Sequence, residues 1–199
     1  MNYNQFLRSA GLTNLDLSSD KTNVGENAYG ISFEQVNDLH VSCIRASDPN
    51  NVIAQIEALT NKGTDLNQFV NEFGFNLLYF VRNRAVLNAL IDAGVNPDHR
   101  SNGQDHAFAD HATPACTAFH YACYYFYIEA VKVFVEHVSD INVPDEDGFS
   151  PMAYAEQTCS DQAQNKKKGA RYCGDEKLKA MEQWIAWIED RGGKIIKTV

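Results

Sequence analysis

The chain is short of basic residues, of long apolar runs and of paired cysteine motifs, and each shortage closes off a class of function. Lysine and arginine number 17 against 26 aspartates and glutamates, giving a formal net charge of −9. A dedicated nucleic-acid binder needs a basic footprint to displace counterions from phosphates, so nucleic acid is not the expected partner. No run of 18 apolar residues occurs, so no transmembrane segment is expected. The first residues, MNYNQFLRSAGLTNLDLSSD, lack a basic start followed by an apolar stretch, so a cleaved signal peptide is not expected. The cysteines are Cys43, Cys116, Cys123, Cys159 and Cys173, an odd number with no C-x-x-C pair. That pattern suits free thiols in a reducing compartment and points to a cytoplasmic setting, whether the cell's own or a host's. GxxxxGK[ST], GxGxxG, HExxH and GxSxG are all missing. Neither enzymatic activity nor a cofactor is therefore expected.

What is present is enough apolar material for a core, at 44% of 199 residues, and a pattern that recurs. After Thr117 the chain reads TAFHYA, and from Ser150 it reads SPMAYA, 150 − 117 = 33 residues later. NLLYFV from Asn76 is a weaker copy. The ends of the segments also agree: NKGTDLN to Asn67, DAGVNPD to Asp98, HVSDINVPD to Asp145 and DRGGKI to Ile195. Thr117 and Ser150 are suited to cap helix N-termini through a hydroxyl that accepts an orphan N–H, and Pro151 fits the first helical position. Ala122 and Ala155 are small enough for close helix approach. Gly63 and Gly94 can take the left-handed conformation of a helix C-terminus. A turn is expected near Phe126-Tyr127, followed by a helix with Ile128, Val131, Phe134, Val135 and Val138 on its apolar side.

These residues resemble the ankyrin-repeat family, whose unit of about 33 residues is a β-turn, two antiparallel helices and a loop. The family's Thr-Pro-Leu-His-x-Ala motif is similar to Thr117, Ala118, Phe119, His120, Tyr121 and Ala122. It is also similar to Ser150, Pro151, Met152, Ala153, Tyr154 and Ala155, where Ala153 stands in place of the histidine. The resemblance extends over roughly residues 32 to 195. It implies an all-α fold, a solenoid of stacked helix-turn-helix units with irregular loops. Residues 1–30 would be an N-terminal arm or cap, with NQFLRSAGL as its one short helix. Residues 31–199 would form the repeat domain, in units of about 32–67, 68–98, 113–145 and 146–195, interrupted by insertions of about 99–112 and 159–175.

The residue pattern predicts the elements within these units. Ser32 and Gln35 suggest a capping box, followed by a stripe of Phe33, Val36, Leu39, Cys43 and Ile44. Asp48-Pro49 ends that helix, and Val52, Ile53, Ile56 and Leu59 mark the next. Residues 74–98 are expected to hold a compact pair of helices, with Leu87, Leu90 and Ile91 buried. The last helix is expected at about 176–190, with Met181, Ile185 and Ile188 apolar and with Trp184 and Trp187 closing the array.

Several clusters could carry chemistry. The stretch 99–120 holds His99, Asp105, His106, Asp110, His111, Cys116 and His120, residue types that ligate zinc. Their spacing matches no standard structural site, and the plainer reading is a polar loop; no metal is expected. Cys116 or Cys123 beside His120 could make a thiol nucleophile, but that requires geometry and an orienting third group. Cys159 and Cys173 could close a 15-residue loop as a disulfide or serve as a redox latch, the default in a reducing compartment being two free thiols. Lys166, Lys167, Lys168 and Arg171 form the one basic cluster, read first as a solvated loop.

The resemblance implies a non-enzymatic module that binds a protein partner through its β-turn tips and first helices, as an adaptor, inhibitor or secreted effector. Carried over by position, the contact residues are Glu146, Asp147 and Phe149 at one tip, Tyr124 and Tyr125 at the end of a first helix, and Gln157 in the following unit. The acidic balance favours a basic partner. The alternatives are an enzyme or metal-binding protein built on residues 99–120, and an acidic mimic that binds a basic protein. Tyr124, Tyr125 and Phe126 could instead pack under the 99–116 loop.

Overall fold

The computed structural model describes residues 26–103 and 115–197. Among them are seven α-helices: α1 (Phe33–Arg45), α2 (Pro49–Asn61), α3 (Arg84–Asp92), α4 (Ala118–Tyr124), α5 (Ile128–His137), α6 (Pro151–Lys167) and α7 (Asp175–Glu189). A short 3-10 turn covers Leu66–Gln68. The described residues contain no strand, only the isolated bridges Glu26–Ser32 and Arg100–Thr117, so the fold is all-α as expected. The described residues divide into two compact bodies, one ending at Ala118 and the other starting at Phe119. The possible helix NQFLRSAGL lies outside the described residues, as do residues 104–114.

In the N-terminal body, Ser32 caps α1 by accepting the Gln35 N–H at 3.2 Å, and its hydroxyl donates to Gln35 Oε1 at 3.1 Å. Ala46, in the left-handed region at φ 40, ends the helix. Asp48 accepts the Asn51 N–H, and Pro49 opens α2 where a missing N–H costs nothing. Gly63 and Gly94 follow α2 and α3 at φ 77 and φ 89, as their positions predicted. The α1 stripe buries Val36, Leu39 and Cys43, together with the polar Asn37 and His40. Each fully buried aliphatic side chain of this kind contributes about 1.5–3 kcal/mol.

The expected pair of helices between residues 74 and 98 is not formed. Only α3 is helical there, and residues 76–82 make an irregular turn with Phe80 at φ 64. Burial explains the difference. Phe75, Asn76, Leu77, Leu78, Tyr79, Phe80 and Val81 are all buried, so this segment has no polar face to offer water. Its polar groups find partners inside instead. Asn76 donates to the Asn96 carbonyl and accepts the Leu78 N–H, and the Tyr79 hydroxyl donates to the carbonyls of His99 (3.1 Å) and Cys116 (2.5 Å).

In the C-terminal body, α4 turns at Tyr125–Tyr127 into α5, with Phe126 at φ 54 and the Tyr127 N–H donating to the Ala122 carbonyl. Phe126 packs on Trp184 of α7 at a centroid distance of 5.1 Å, which holds the unusual backbone in place. The buried side of α5 is Ala130, Val131, Val133 and Phe134; of the expected stripe only Val131 and Phe134 are buried, while Ile128, Val135 and Val138 are half-buried. Ser150 caps α6 through the Ala153 N–H, with Pro151 behind it. The extra residues of this last unit are largely helical: α6 continues through Cys159 to Lys167, which leaves 168–174 as the turn into α7. Lys166 and Lys167 sit in the last turn of α6, where the helix dipole favours cations, and Lys166 pairs with Asp175 at 2.7 Å. Trp184 is buried, while Trp187 lies half-exposed under the Arg191 guanidinium at 3.8 Å.

Candidate functional site

The site is built on a turn that the described residues make three times. In the segments 27–31, 71–75 and 145–149, the first residue's N–H donates to the fifth residue's carbonyl, at 2.9, 3.1 and 2.9 Å respectively. In each, the glycine N–H returns to the first residue's carbonyl: Gly30 to Asn27, Gly74 to Asn71 and Gly148 to Asp145. The first residue's side-chain oxygen then accepts the fifth residue's N–H, at 3.2, 2.9 and 2.8 Å. An Asn or Asp can close such a turn because its short side chain mimics a backbone carbonyl, and glycine supplies the positive φ. The segments read NAYGIS, NEFGFN and DEDGFS with the residue that follows each, a signal open to inspection that the repeat alignment above did not use.

A second recurring device joins successive units. Tyr79 stands three residues after Asn76, and His120 three residues after Thr117. The Tyr79 hydroxyl reaches the carbonyl of Cys116, and His120 Nε2 donates to the carbonyl of Phe149 at 3.2 Å. Cys116 and Phe149 each precede the first residue of the next motif, Thr117 and Ser150. The motif histidine is thus a structural link in the C-terminal body, and a tyrosine takes the same role in the N-terminal body.

At the 145–149 tip, Glu146 and Asp147 are exposed, and Phe149 is half-buried. Asp145 is itself buried and bonds twice, to the Phe149 N–H through Oδ1 and to the Tyr154 hydroxyl through Oδ2 at 2.5 Å. Tyr154 then contacts His120 edge-on at 5.5 Å and Tyr124 at 6.3 Å. Tyr124, 38% exposed, makes an edge contact with Tyr125 at 5.1 Å, and Tyr125 stacks on Tyr127 at 5.4 Å. Gln157, one helical turn beyond Tyr154, is exposed and donates to Asp161. Thr158 donates to the Tyr124 carbonyl at 3.1 Å, fixing the end of α4 against α6. Of the six residues carried over by position, Glu146, Asp147, Tyr124 and Gln157 are exposed and Phe149 and Tyr125 are half-buried, all within the C-terminal body. Tyr154, which the sequence reading assigned only to the motif, bonds the buried tip anchor Asp145 and contacts Tyr124.

The other clusters take different forms. His99 Nε2 donates to the Gly74 carbonyl at 2.8 Å, a structural bond. Asp105, His106, Asp110 and His111 lie outside the described residues. Among the described residues, no group of three or more His, Cys, Asp or Glu is placed to hold a metal. Cys123 is fully buried, which pushes its thiol well up, the opposite of an activated nucleophile. All five cysteines are free thiols, Cys159 and Cys173 included.

Capped helical hairpins joined by Asn- or Asp-closed tips define a repeat protein of helix pairs. The ankyrin repeat family model matches residues 116–146, which span α4, α5 and the start of the 145–149 tip. The matched segment is similar to an ankyrin repeat, and ankyrin repeats are generally protein–protein interaction modules. No curated protein sequence matches the chain. No described helix is long and apolar enough to cross a membrane.

Proposed function

We propose that the chain binds a protein partner through the surface formed by Glu146, Asp147, Phe149, Tyr154, Gln157, Tyr124 and Tyr125, and that the partner segment is basic. The observation that carries this reading is Tyr154, which bonds the acidic tip's anchor Asp145 and contacts Tyr124 of the tyrosine corner. Tyrosines give large contact area at low entropic cost and take guanidinium groups on their faces, while the exposed carboxylates steer cations toward them. The net charge of −9 supports the same polarity. In this role the protein acts as an adaptor, inhibitor or secreted effector in a cytoplasm, a setting that suits five unpaired cysteines.

Partner capture followed by mass spectrometry tests the proposal. A captured protein should be lost, by at least about tenfold in affinity, on combining Tyr124→Ala with Glu146→Arg. Undiminished capture by the double variant removes this surface from consideration. Binding that weakens steeply with salt yet survives Tyr124→Ala would show that bulk charge, as in an acidic mimic, rather than the aromatic corner selects the partner.

A further inference from the structure

We propose that Cys159 and Cys173 are a reversible dithiol–disulfide pair, oxidised by peroxides, that clips the 168–174 turn onto α6. Cys159 sits in an apolar cluster with Leu178 and Met181 of α7, and Cys173 packs against the same cluster beside Phe126, Ala163 and Ile185. Cys173 Sγ lies 3.9 Å from Met181 Sδ. The Cys173 N–H donates to Gln162 Oε1 at 2.8 Å, so the turn is already tied to α6 one helical turn beyond Cys159. Gly169 and Gly174 bracket this segment at φ 66 and φ 94, each with nothing within 4 Å of where a Cβ would be. Glycine at both ends of the turn is conformationally permissive, which eases adjustment to the narrow geometry that a disulfide requires. Cys43, Cys116 and Cys123 are buried and take no part in the cluster.

The chemistry divides between the two thiols by exposure. Cys173 is half-exposed and meets the oxidant, whereas burial pushes the Cys159 thiol up and keeps it in reserve. The Cys173 thiolate attacks one peroxide oxygen. The O–O bond breaks, leaving a sulfenic acid and a hydroxide that takes up a proton. Cys159 then gives up its proton and attacks the sulfenic sulfur, the S–O bond breaks, and the oxygen leaves as water. Two thiols and one hydrogen peroxide thus give one disulfide and two waters, and an added dithiol reverses the reaction by exchange.

Stoichiometric hydrogen peroxide on the full chain, followed by alkylation and peptide mapping, reads the outcome. The expected result is a peptide linked between residues 159 and 173, a mass lower by two hydrogens, and a raised Tm that dithiothreitol restores. Cys173→Ser should abolish the link, and Cys159→Ser should leave a Cys173 sulfenic acid that dimedone traps. Two alkylated thiols after treatment, sulfinic acid at Cys173 in the unaltered chain, or linkage to any other cysteine would overturn the proposal. Cys173→Ser replaces a half-exposed residue, so its fold can be confirmed independently by circular dichroism.

Discussion

The tips 71–75 and 145–149 share the same backbone bonds and differ in what surrounds them. The first is walled in. Asn102 donates through its N–H to the Phe73 carbonyl and through Nδ2 to the Glu72 carbonyl, while His99 donates to the Gly74 carbonyl. Burial holds the Glu72 carboxyl above the usual range. The second tip leaves Glu146 and Asp147 exposed, and its anchor Asp145 spends its second oxygen on Tyr154. One local conformation thus serves as internal scaffolding in one unit and as a presented edge in another. The neighbours of a tip decide its use, and its own hydrogen bonds do not.

The largest test of this contrast is Gly74→Ala. The residue has φ 77, and an added Cβ would meet the Asn102 backbone nitrogen at 2.5 Å. Left-handed strain and the clash together should cost about 3–4 kcal/mol in urea unfolding. Gly63→Ala, also at φ 77 but with nothing within 4 Å, should cost only about 1 kcal/mol. Equal losses would mean that the wall around the first tip is loose. Next comes Asp145→Ala, which strands the Phe149 N–H and the Tyr154 hydroxyl and should cost about 2–3 kcal/mol. Asp145→Asn converts the second tip's anchor to the first tip's residue type and should cost about 1 kcal/mol, because the Tyr154 oxygen can accept from the new amide. A full loss in the Asn variant would show that charge, rather than hydrogen-bond count, holds the tip.

A titrating group sharpens the contrast further. His40 in α1 is fully buried and donates to the Tyr79 carbonyl at 2.8 Å, and desolvation lowers its pKa to about 4. The unfolded chain takes up a proton near pH 6.5 and the folded chain does not. Stability is therefore full above pH 6.5 and falls as the pH drops toward 4, by about 2 kcal/mol between pH 7.5 and pH 5. The raised Glu72 carboxyl acts in the opposite sense from its ordinary value of 4.5 upward, within the same window, so the His40 variant is what isolates the imidazole. Denaturant midpoints across that window should flatten in His40→Gln, and an unchanged slope would clear His40 of the effect. A similarly small effect is expected from Tyr79→Phe, at about 1 kcal/mol, because the Cys116 carbonyl it abandons still accepts the Ser101 N–H at 2.9 Å.

Much of this was open to reading beforehand, and the reasons for the remainder are physical. Ser32, Ser150 with Pro151, Gly63 and Gly94 announce helix ends because capping depends on a residue's own side chain or its lack of one. The apolar faces of α1 and α7 follow from helical spacing. The segment 76–82 was not legible, since an apolar run reads alike as helix or as buried turn until its environment is known. Asn37 and His40 look like surface residues by type, and only tertiary packing buries them. At the candidate site, position alone pointed to Glu146, Asp147, Phe149, Tyr124, Tyr125 and Gln157. The joining role of Tyr154 emerged only from three-dimensional contacts.

One further pair of residues bears on how such an array can grow. Asn67 clasps the segment that follows α3, donating to the Gly94 carbonyl at 2.8 Å and accepting the Asn96 N–H at 2.8 Å, 27 and 29 residues ahead. Asn142 does the same after α7, with the Gly192 carbonyl at 3.0 Å and the Lys194 N–H at 2.6 Å, 50 and 52 residues ahead. An identical clasp closes over an excursion longer by 50 − 27 = 23 residues, and lengthening a loop raises its closure entropy only slowly. The 168–174 turn is therefore a natural grafting point: foreign sequence placed there would ride outside the clasp and leave its hydrogen bonds untouched.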